Sequence, residues 1–330
     1  MYTPNPDRYN NKTKYNYCGK SGLMLPRLSL GLWHNFGSFD NFDEAEKMLF
    51  LAFDEGITHF DLANNYGHPA GSAESNFGKL FNKHFSSHRD EMTITTKAGF
   101  FMWDGPYGDG SSRKYLISSL DQSLKRLGLD YVDIFYSHRY DQNTPIEETV
   151  QALTDIVHQG KALYVGISNY PVEAAQKAFW LLNENRTPCI VYQGRYNMLY
   201  RDPEISLFDT LRQSKVGFVA YSALAQGILS EKYLNGIPEN SRAANQYGYL
   251  QKSEITDEIV GKMQKLNAVA QRREQTLAQM ALAWVLRDIH VTSALVGVST
   301  AAQLKSNLDA LNNTYFSDEE CREIDKIIYG

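Results

Sequence analysis

Cysteine is scarce in this chain: of 330 residues, only Cys18, Cys189 and Cys321 carry thiols. Three is an odd number, the positions are far apart, and neither a Cys-x-x-Cys pair nor a histidine pair at zinc-ligand spacing accompanies them. A disulfide framework and a zinc site are therefore poor interpretations, and free thiols in a reducing compartment are favoured. We expect a cytoplasmic protein that binds no metal.

Long apolar runs and a surplus of charge are also absent. No run approaches the roughly 20 residues of a membrane helix, and the polar N-terminus lacks the apolar centre of a signal peptide. The 33 basic and 38 acidic residues are interspersed and give a formal net charge of -5, which argues against nucleic acid or a membrane as partner. With 43% hydrophobic residues, we expect a globular protein with a small-molecule ligand.

No linker rich in proline, glycine or serine divides the chain, and short apolar stretches alternate with longer amphipathic ones throughout. This alternation predicts a single domain over residues 1–330, in which eight parallel strands and their helices form a (β/α)8 TIM barrel. An open doubly wound sheet is the alternative, but its Gly-x-Gly-x-x-Gly turn does not follow the first strand. The predicted strands span residues 28–32, 57–61, 92–97, 131–138, 163–168, 190–193, 216–221 and 294–298.

Two helices have recognisable ends. A helical pattern that begins at residue 42 stops at Gly56. In the helix after the fourth strand, Thr144 is the expected N-cap, Glu147 completes a capping box with it, and Gly160 follows the last turn. The apolar face expected for the first of these helices consists of Ala45, Met48, Leu49 and Ala52.

Other segments predict loops around the barrel. Residues 14–26, ahead of the first strand, have the pattern of an N-terminal β-hairpin that plugs the bottom of the barrel. Residues 229–274 are helical only in their second half, so the first half is expected to form a long loop at the C-terminal face. Residues 99–115, rich in glycine, are expected to form another. Long loops at this face commonly cover a ligand.

Polar side chains follow the predicted strands at the C-terminal face, where barrels of this type place their active sites. Asp61 ends the second strand, Lys97 the third and His138 the fourth. A carboxylate beside an ammonium is most simply a buried ion pair. Tyr66, in the loop after Asp61, is in reach of Lys97, whose ammonium is expected to lower the tyrosine pKa and make it a general acid. Such a site suits protonation of a carbonyl oxygen as hydride reaches its carbon.

These residues and their flanking segments, FDLANNYG, ITTKAG and DYVDIFYSH, resemble the aldo-keto reductase family over nearly the whole chain. The resemblance implies a catalytic tetrad of Asp61, Tyr66, Lys97 and His138. SRKYLISSLDQSLKRLGLDYVDIFYSHR and LNGIPENSR are similar to the branch that includes potassium-channel β subunits, and most similar there to bacterial reductases of L-glyceraldehyde 3-phosphate and methylglyoxal. The channel subunits carry asparagine at the fourth tetrad position, so His138 favours a working reductase.

The resemblance also implies a nicotinamide dinucleotide, NADPH in preference to NADH. Thr300 occupies a position where relatives often have a basic residue, and Ser306 one where they usually have a glutamate. These two differences reduce the expected preference for NADPH over NADH. The implied cofactor-binding positions are Gly31, Trp33, Ser168, Asn169, Gln193, Tyr221, Ser222, Leu224, Gly227, Lys232, Arg242, Gly297, Ser299, Gln303 and Asn307.

For the substrate, the resemblance implies a small aldehyde such as glyceraldehyde 3-phosphate or methylglyoxal, reduced to an alcohol, with Arg113 or Arg139 as candidate partners of a phosphate.

An alternative is a nicotinamide-nucleotide-binding regulatory or scaffold subunit with little turnover. A hydrolase with paired carboxylates would need a second acidic residue at a strand end beside Asp61. Relatives occur as monomers and as larger assemblies, so a homo-oligomer stays open. The implied substrate pocket consists of Trp33, Tyr66, Trp103 and His138, although the two tryptophans could equally be packing residues.

Overall fold

The structure, a computed structural model, describes residues 2–10, 14–239, 241–244 and 250–330, and of Arg242 the backbone alone. It contains an N-terminal hairpin and a closed barrel of eight parallel strands. The hairpin strands are β1 (Tyr15–Tyr17) and β2 (Met24–Pro26), and the barrel strands are β3 (Leu28–Gly31), β4 (His59–Asp61), β5 (Thr93–Ala98), β6 (Val132–Ser137), β7 (Ala162–Ser168), β8 (Cys189–Arg195), β9 (Gly217–Tyr221) and β10 (Val291–Val296).

The barrel strands follow one another in chain order, and β10 pairs with β3 to close the ring. Every predicted strand is present, and the expected (β/α)8 barrel is confirmed. The last strand was placed least well: it starts three residues before the predicted position 294, because Thr292 and Ser293 interrupt the apolar run from which it was predicted.

Helices follow the barrel strands and pack around the barrel. All four residues of the apolar face expected for the first helix are buried. Among the described residues the helices are α1 (Phe42–Asp54), α2 (Ser72–His84), α3 (Arg113–Leu127), α4 (Ile146–His158), α5 (Val172–Glu184), α6 (Leu207–Ser214), α7 (Asp257–Arg272), α8 (Leu277–Leu286), α9 (Ala301–Leu308) and α10 (Asp318–Tyr329).

The capping box expected at the start of α4 is wrong. The N-cap residue is Pro145, and no side chain caps the helix. Thr144 instead donates from Oγ1 to Asp141 Oδ2 at 2.7 Å, and Glu147 forms an ion pair with Lys177 of α5. A charged carboxylate is a stronger acceptor than a neutral group, so the neighbouring charges take both side chains away from the helix end.

The hairpin covers the N-terminal end of the barrel, as expected. In β1 and β2, which run antiparallel, Tyr15 lies opposite Pro26. The turn approaches β9 so closely that a Cβ on Gly19 would lie 2.3 Å from the carbonyl oxygen of Lys215. Apolar side chains of the hairpin and of the barrel floor form one buried cluster of Cys18, Leu25, Ile134, Tyr136, Ile190, Val191, Val219 and Leu295.

Two long loops lie at the opposite, C-terminal face of the barrel. Residues 99–112 join β5 to α3, and residues 222–256 join β9 to α7. Among the described residues of the predicted stretch 229–274, the α-helix lies in the second half, as expected. Several short 3₁₀ turns, among them Ala225–Gly227 and Glu231–Tyr233, shape the second loop.

The cysteines are free thiols, as the sequence indicated. Burial raises the pKa of the Cys189 thiol to about 12, so it stays protonated at neutral pH and is a poor nucleophile. Among the described helices, none combines the length and the apolar character that a bilayer crossing requires.

Candidate active site

A buried ion pair lies at the C-terminal ends of β4 and β5. Lys97 Nζ donates to Asp61 Oδ2 at 2.6 Å and to the carbonyl oxygen of Leu62 at 2.6 Å. The side chains of Lys97 and Asp61 are 0% and 2% exposed. Such a pair is stable only when both charges are compensated. The register of the two strands, in which Asp61 lies opposite Thr95, sets Lys97 just above the carboxylate.

Two further side chains hold the carboxylate of Asp61. Thr95 donates from Oγ1 to Asp61 Oδ1 at 2.8 Å, and Gln193 donates from Nε2 to the same oxygen at 3.0 Å. Gln193 was expected at a nicotinamide carboxamide, but its amide nitrogen is directed to Asp61. Thr95 was not anticipated, although its position two residues before Lys97 puts both on the same face of β5.

Below Asp61 a chain of hydrogen bonds continues down the barrel interior. His59 Nε2 lies 3.3 Å from Thr95 Oγ1, and His59 Nδ1 lies 2.8 Å from Ser29 Oγ, which contacts Ser293 Oγ at 2.6 Å. Because the Thr95 hydroxyl donates to Asp61, its oxygen accepts from His59 Nε2–H, and Nδ1 accepts from Ser29. Burial lowers the pKa of His59 to about 4, so the ring is neutral. Every hydrogen bond of this series is therefore donated in the same direction, from Ser29 through His59 and Thr95 to Asp61.

Tyr66 lies above the ion pair in the loop after β4. Lys97 Nζ is 5.0 Å from the centre of the tyrosine ring. Burial raises the pKa of Tyr66 well above its usual value, with further contributions from the charge of Asp61 and from Tyr221. We expected Lys97 to lower this pKa, but its ammonium gives its hydrogen bonds to Asp61 and Leu62. The phenol is therefore protonated at neutral pH.

His138 completes the group at the end of β6. Its ring centre lies 5.9 Å from that of Tyr66 and 4.7 Å from that of Phe100, edge to face in both cases. Burial, Lys97 and Arg139 lower the pKa of His138 well below its usual value, so the imidazole is neutral. Its Nδ1 is buried and finds no hydrogen-bond partner among the described residues, which leaves the ring available to a ligand.

Ser168, Asn169 and Tyr221, three predicted cofactor positions, lie together beside His138. Tyr221 donates from its hydroxyl to Asn169 Oδ1 at 2.8 Å. The Asn169 amide in turn donates to the carbonyl oxygen of His138 at 3.1 Å and to Ser168 Oγ at 3.0 Å. The ends of β6, β7 and β9 are thus connected by side chains around the group of Tyr66 and His138.

The loop after β9 turns its backbone through left-handed conformations. Ser222, Ala225 and Gln226 have φ of 54°, 46° and 58°, and Gly227 has φ of 101°. Within this turn the backbone N–H of Ala225 donates to the carbonyl oxygen of Ser222, and that of Gly227 to the carbonyl oxygen of Leu224, both at 2.8 Å. Leu224 lies in this loop, and Lys232 follows it in a 3₁₀ turn. The side chain of Arg242 lies outside the described residues.

The segment after β10 contains the remaining predicted cofactor positions. Gly297 lies beside Gly31 at the closing seam of the barrel, where a Cβ on Gly297 would meet only the Gly31 carbonyl oxygen, at 3.9 Å. Ser299 donates from N and Oγ to Gln303 Oε1 at 3.0 and 2.9 Å. Asn307, on the same helix α9, is buried.

The amino end of α9 is already occupied by acceptors from the chain itself. Thr300 is the N-cap, and its Oγ1 accepts from Gln303 N at 3.2 Å. Glu44 of α1 accepts from Ala301 N at 2.9 Å. This hydrogen bond holds the pKa of the Glu44 carboxyl below its usual range. Sequence reasoning missed Glu44, because nothing in the pattern of α1 indicates that it faces α9.

The two tryptophans of the predicted substrate pocket differ in their surroundings. The ring centre of Trp33 lies 6.3 Å from that of Tyr66. Trp103 packs on Tyr115 of α3, with ring centres 5.2 Å apart. Trp33 therefore lies next to Tyr66 of the candidate active site, whereas Trp103 packs against helix α3. Phe100, which was not predicted, contacts His138 together with Tyr66.

In chemical terms, the site brings together a protonated phenol, a buried ammonium and a neutral imidazole. Among the described residues, no three histidine, cysteine, aspartate or glutamate side chains are grouped so that they could hold a metal ion. A phenol beside an ammonium can deliver a proton and tolerate the negative charge that remains. The arrangement suits acid catalysis at a ligand oxygen.

Comparisons with known proteins agree with this geometry. A family model described as "Aldo/keto reductase family" matches residues 27–329. The chain is 55% identical to the "L-glyceraldehyde 3-phosphate reductase" of Escherichia coli O157:H7 over 332 aligned positions, covering 99% of this chain and 96% of the relative. It is 54% identical to the protein of the same name from Escherichia coli strain K12, with the same coverage.

Proposed function

This chain belongs to the aldo/keto reductase family, and we propose that it uses NADPH to reduce small aldehydes, such as glyceraldehyde 3-phosphate and methylglyoxal, to alcohols. The observation that carries the proposal is the position of the Tyr66 ring, 5.0 Å from Lys97 Nζ in the buried pair with Asp61 and 5.9 Å from the ring of His138. The relatives that bear the name of a glyceraldehyde 3-phosphate reductase support the choice of substrate.

The residues present fit a nicotinamide dinucleotide. Tyr221 offers an aromatic face beside Asn169 and His138, and Lys232, just after the left-handed turn of Ser222 to Gly227, offers a cation to phosphate. Gly31 and Gly297 lie side by side at the barrel seam, where an added Cβ would make only ordinary contacts, at 3.7 Å or more. When bound, such a cofactor supplies the hydride that reaches the carbonyl carbon.

The side chains of the site then deliver a proton to the carbonyl oxygen of the substrate. Tyr66 donates its hydroxyl proton to the carbonyl oxygen as negative charge develops there. The ammonium of Lys97, 5.0 Å from the centre of the Tyr66 ring, partly offsets the cost of the phenolate that remains, which burial and Asp61 disfavour. Asp61 keeps Lys97 charged and in place. His138, neutral, donates an N–H hydrogen bond to the same oxygen and orients it.

The first test is oxidation of NADPH and of NADH, followed by the loss of nicotinamide absorbance, with methylglyoxal and with glyceraldehyde 3-phosphate. We expect saturable oxidation of NADPH with both aldehydes and slower oxidation of NADH. Tight cofactor binding without turnover on any aldehyde would contradict the proposal and favour a regulatory, nucleotide-binding subunit.

Glu44 predicts an effect on cofactor choice. Its carboxylate accepts from the amino end of α9, in the segment that we assign to the adenosine phosphate, so its charge opposes an added phosphate. Replacement by glutamine should raise the preference for NADPH over NADH, measured as the ratio of kcat/KM values, by about two- to fivefold, the usual strength of a charge at a helix end.

Glu46 provides the matched control for Glu44. It lies on the same helix but pairs with Lys83 and His84 of α2, away from α9. Glu46→Gln should leave the cofactor ratio as it is in the parent protein. An equal change in the KM for both cofactors in Glu44→Gln would show that Glu44 acts on the structure of α9 and not on the phosphate.

A further inference from the structure

A surface cavity of about 560 Å³ opens between the loop of residues 99–112 and the segment of residues 139–144 that follows β6. Its lining is polar and includes Asp109, Ser112, Arg139 and Thr144. Arg139 is the only basic side chain among the described residues that line it. It directly follows His138 of the proposed catalytic group in the chain.

The guanidinium of Arg139 is fixed in position but accessible. Its Nε donates to the carbonyl oxygen of Gly99 at 2.7 Å, and its Nη2 donates to Asp109 Oδ1 at 2.8 Å. The carbon Cζ lies 5.1 Å from the centre of the Phe100 ring. With 34% of the side chain exposed, the planar group is oriented by its neighbours and still faces the cavity.

Phe100 contacts both this guanidinium and His138. The ring centres of Phe100 and His138 are 4.7 Å apart, so the guanidinium carbon is no farther from the imidazole than this distance and the 5.1 Å contact combined. The carbonyl carbon and the phosphorus of glyceraldehyde 3-phosphate are separated by four bonds, roughly 5 Å when extended. With one hydrogen bond at each end, that molecule spans the gap.

We propose that Arg139 binds the phosphate group of a phosphorylated aldehyde whose carbonyl oxygen lies at Tyr66 and His138. The proposal rests on the proposed function, since it takes the reducing site as given and adds a specificity-determining residue to it. A guanidinium matches the geometry of a phosphate, with which it forms paired charged hydrogen bonds.

Asp109 occupies the guanidinium in the absence of such a ligand. The pair is exposed to solvent, with 46% of the Asp109 side chain accessible, and exposed ion pairs of this kind are weak. A phosphate carries more charge and more acceptor oxygens than a carboxylate. Exchange of Asp109 for the substrate phosphate is therefore favourable, and Asp109 acts as a competitor that sets the strength of binding.

The other candidate, Arg113, is committed elsewhere. It begins α3 and forms an ion pair with Asp155 of α4, while its backbone N–H donates to Glu148 Oε1 at 2.9 Å. Arg113 does not line the cavity. Its side chain belongs to the contact between the outer helices, so Arg113 is the matched control for Arg139.

The experiment compares kcat/KM for glyceraldehyde 3-phosphate with that for unphosphorylated glyceraldehyde. In Arg139→Met the ratio of the two should fall about 10- to 100-fold, as expected for the loss of a charged hydrogen bond. Arg113→Met should keep the parent ratio. Asp109→Asn should raise it, because the competing carboxylate is gone. An unchanged ratio in Arg139→Met would overturn the proposal, even if the rates with both substrates fall.

A binding measurement separates failure of this inference from failure of the proposed function. Inorganic phosphate is titrated calorimetrically into the parent protein and both arginine variants, each saturated with NADP⁺. Heat of binding in the parent protein and in Arg113→Met, but not in Arg139→Met, would support the subsite even if no aldehyde were reduced. Equal binding by all three proteins, or binding by none, would overturn it.

Discussion

Replacing Tyr66 with phenylalanine is expected to lower kcat for aldehyde reduction by about 100- to 10,000-fold, the usual contribution of a positioned general acid. The ring and its contacts with Trp33 and His138 remain in the variant, so cofactor affinity should stay close to that of the parent protein. Steady-state kinetics with methylglyoxal and fluorescence titration with NADPH measure the two quantities separately.

Tyr164 offers a control for the lost hydroxyl. It lies in β7 and packs against the apolar cluster at the hairpin end of the barrel. Tyr164→Phe should therefore reduce aldehydes at the parent rate. If Tyr66→Phe also turns over at the parent rate, another group donates the proton and the assigned role is wrong.

Lys97→Met should lose both activity and stability. The substitution removes the ammonium that would stabilise a phenolate at Tyr66, and it leaves the buried carboxylate of Asp61 without its counterion. An uncompensated buried charge of this kind costs about 3–5 kcal/mol. Denaturation with guanidinium chloride would register the loss of stability as a lower midpoint, and kcat would register the loss of activity.

The double variant Asp61→Asn with Lys97→Met separates the two effects. Removing both charges leaves no unpaired ion, so the unfolding midpoint should recover most of the loss, whereas kcat should not recover. A double variant as inactive and as unstable as Lys97→Met would mean that the pair is needed for packing rather than for charge. A Lys97→Met protein with parent activity at neutral pH would refute the role given to its ammonium.

The barrel and the grouping of its polar residues were accessible from the sequence. The carboxyl ends of parallel barrel strands meet at one face, so Asp61, Lys97 and His138 were expected to be neighbours once their strands were recognised. Tyr66 was placed with them because it lies only five positions after Asp61. The structure brings these four side chains together.

The sequence did not show which of two competing interactions is the stronger. The sequence predicted that Lys97 lowers the pKa of Tyr66, whereas burial and Asp61 raise it. The balance depends on distances in the folded protein, which the spacing of residues along the chain does not give. In the same way, Thr144 was expected to cap α4, but Asp141 competes for its hydroxyl. The contact of Glu44 with α9 joins elements 257 positions apart, and no local pattern reports it.

The hydrogen-bonded chain beneath Asp61 has a consequence for folding. Its members come from β3, β4, β5 and β10, and its Ser29 to Ser293 contact joins the strands that close the ring. A barrel that lacks β10 loses this contact and leaves Ser29 Oγ with one hydrogen bond fewer, a loss of about 1 kcal/mol. Closure of the ring at β10 and the hydrogen bonds that hold the Asp61 carboxylate are thus coupled, so that barrels without β10 are disfavoured.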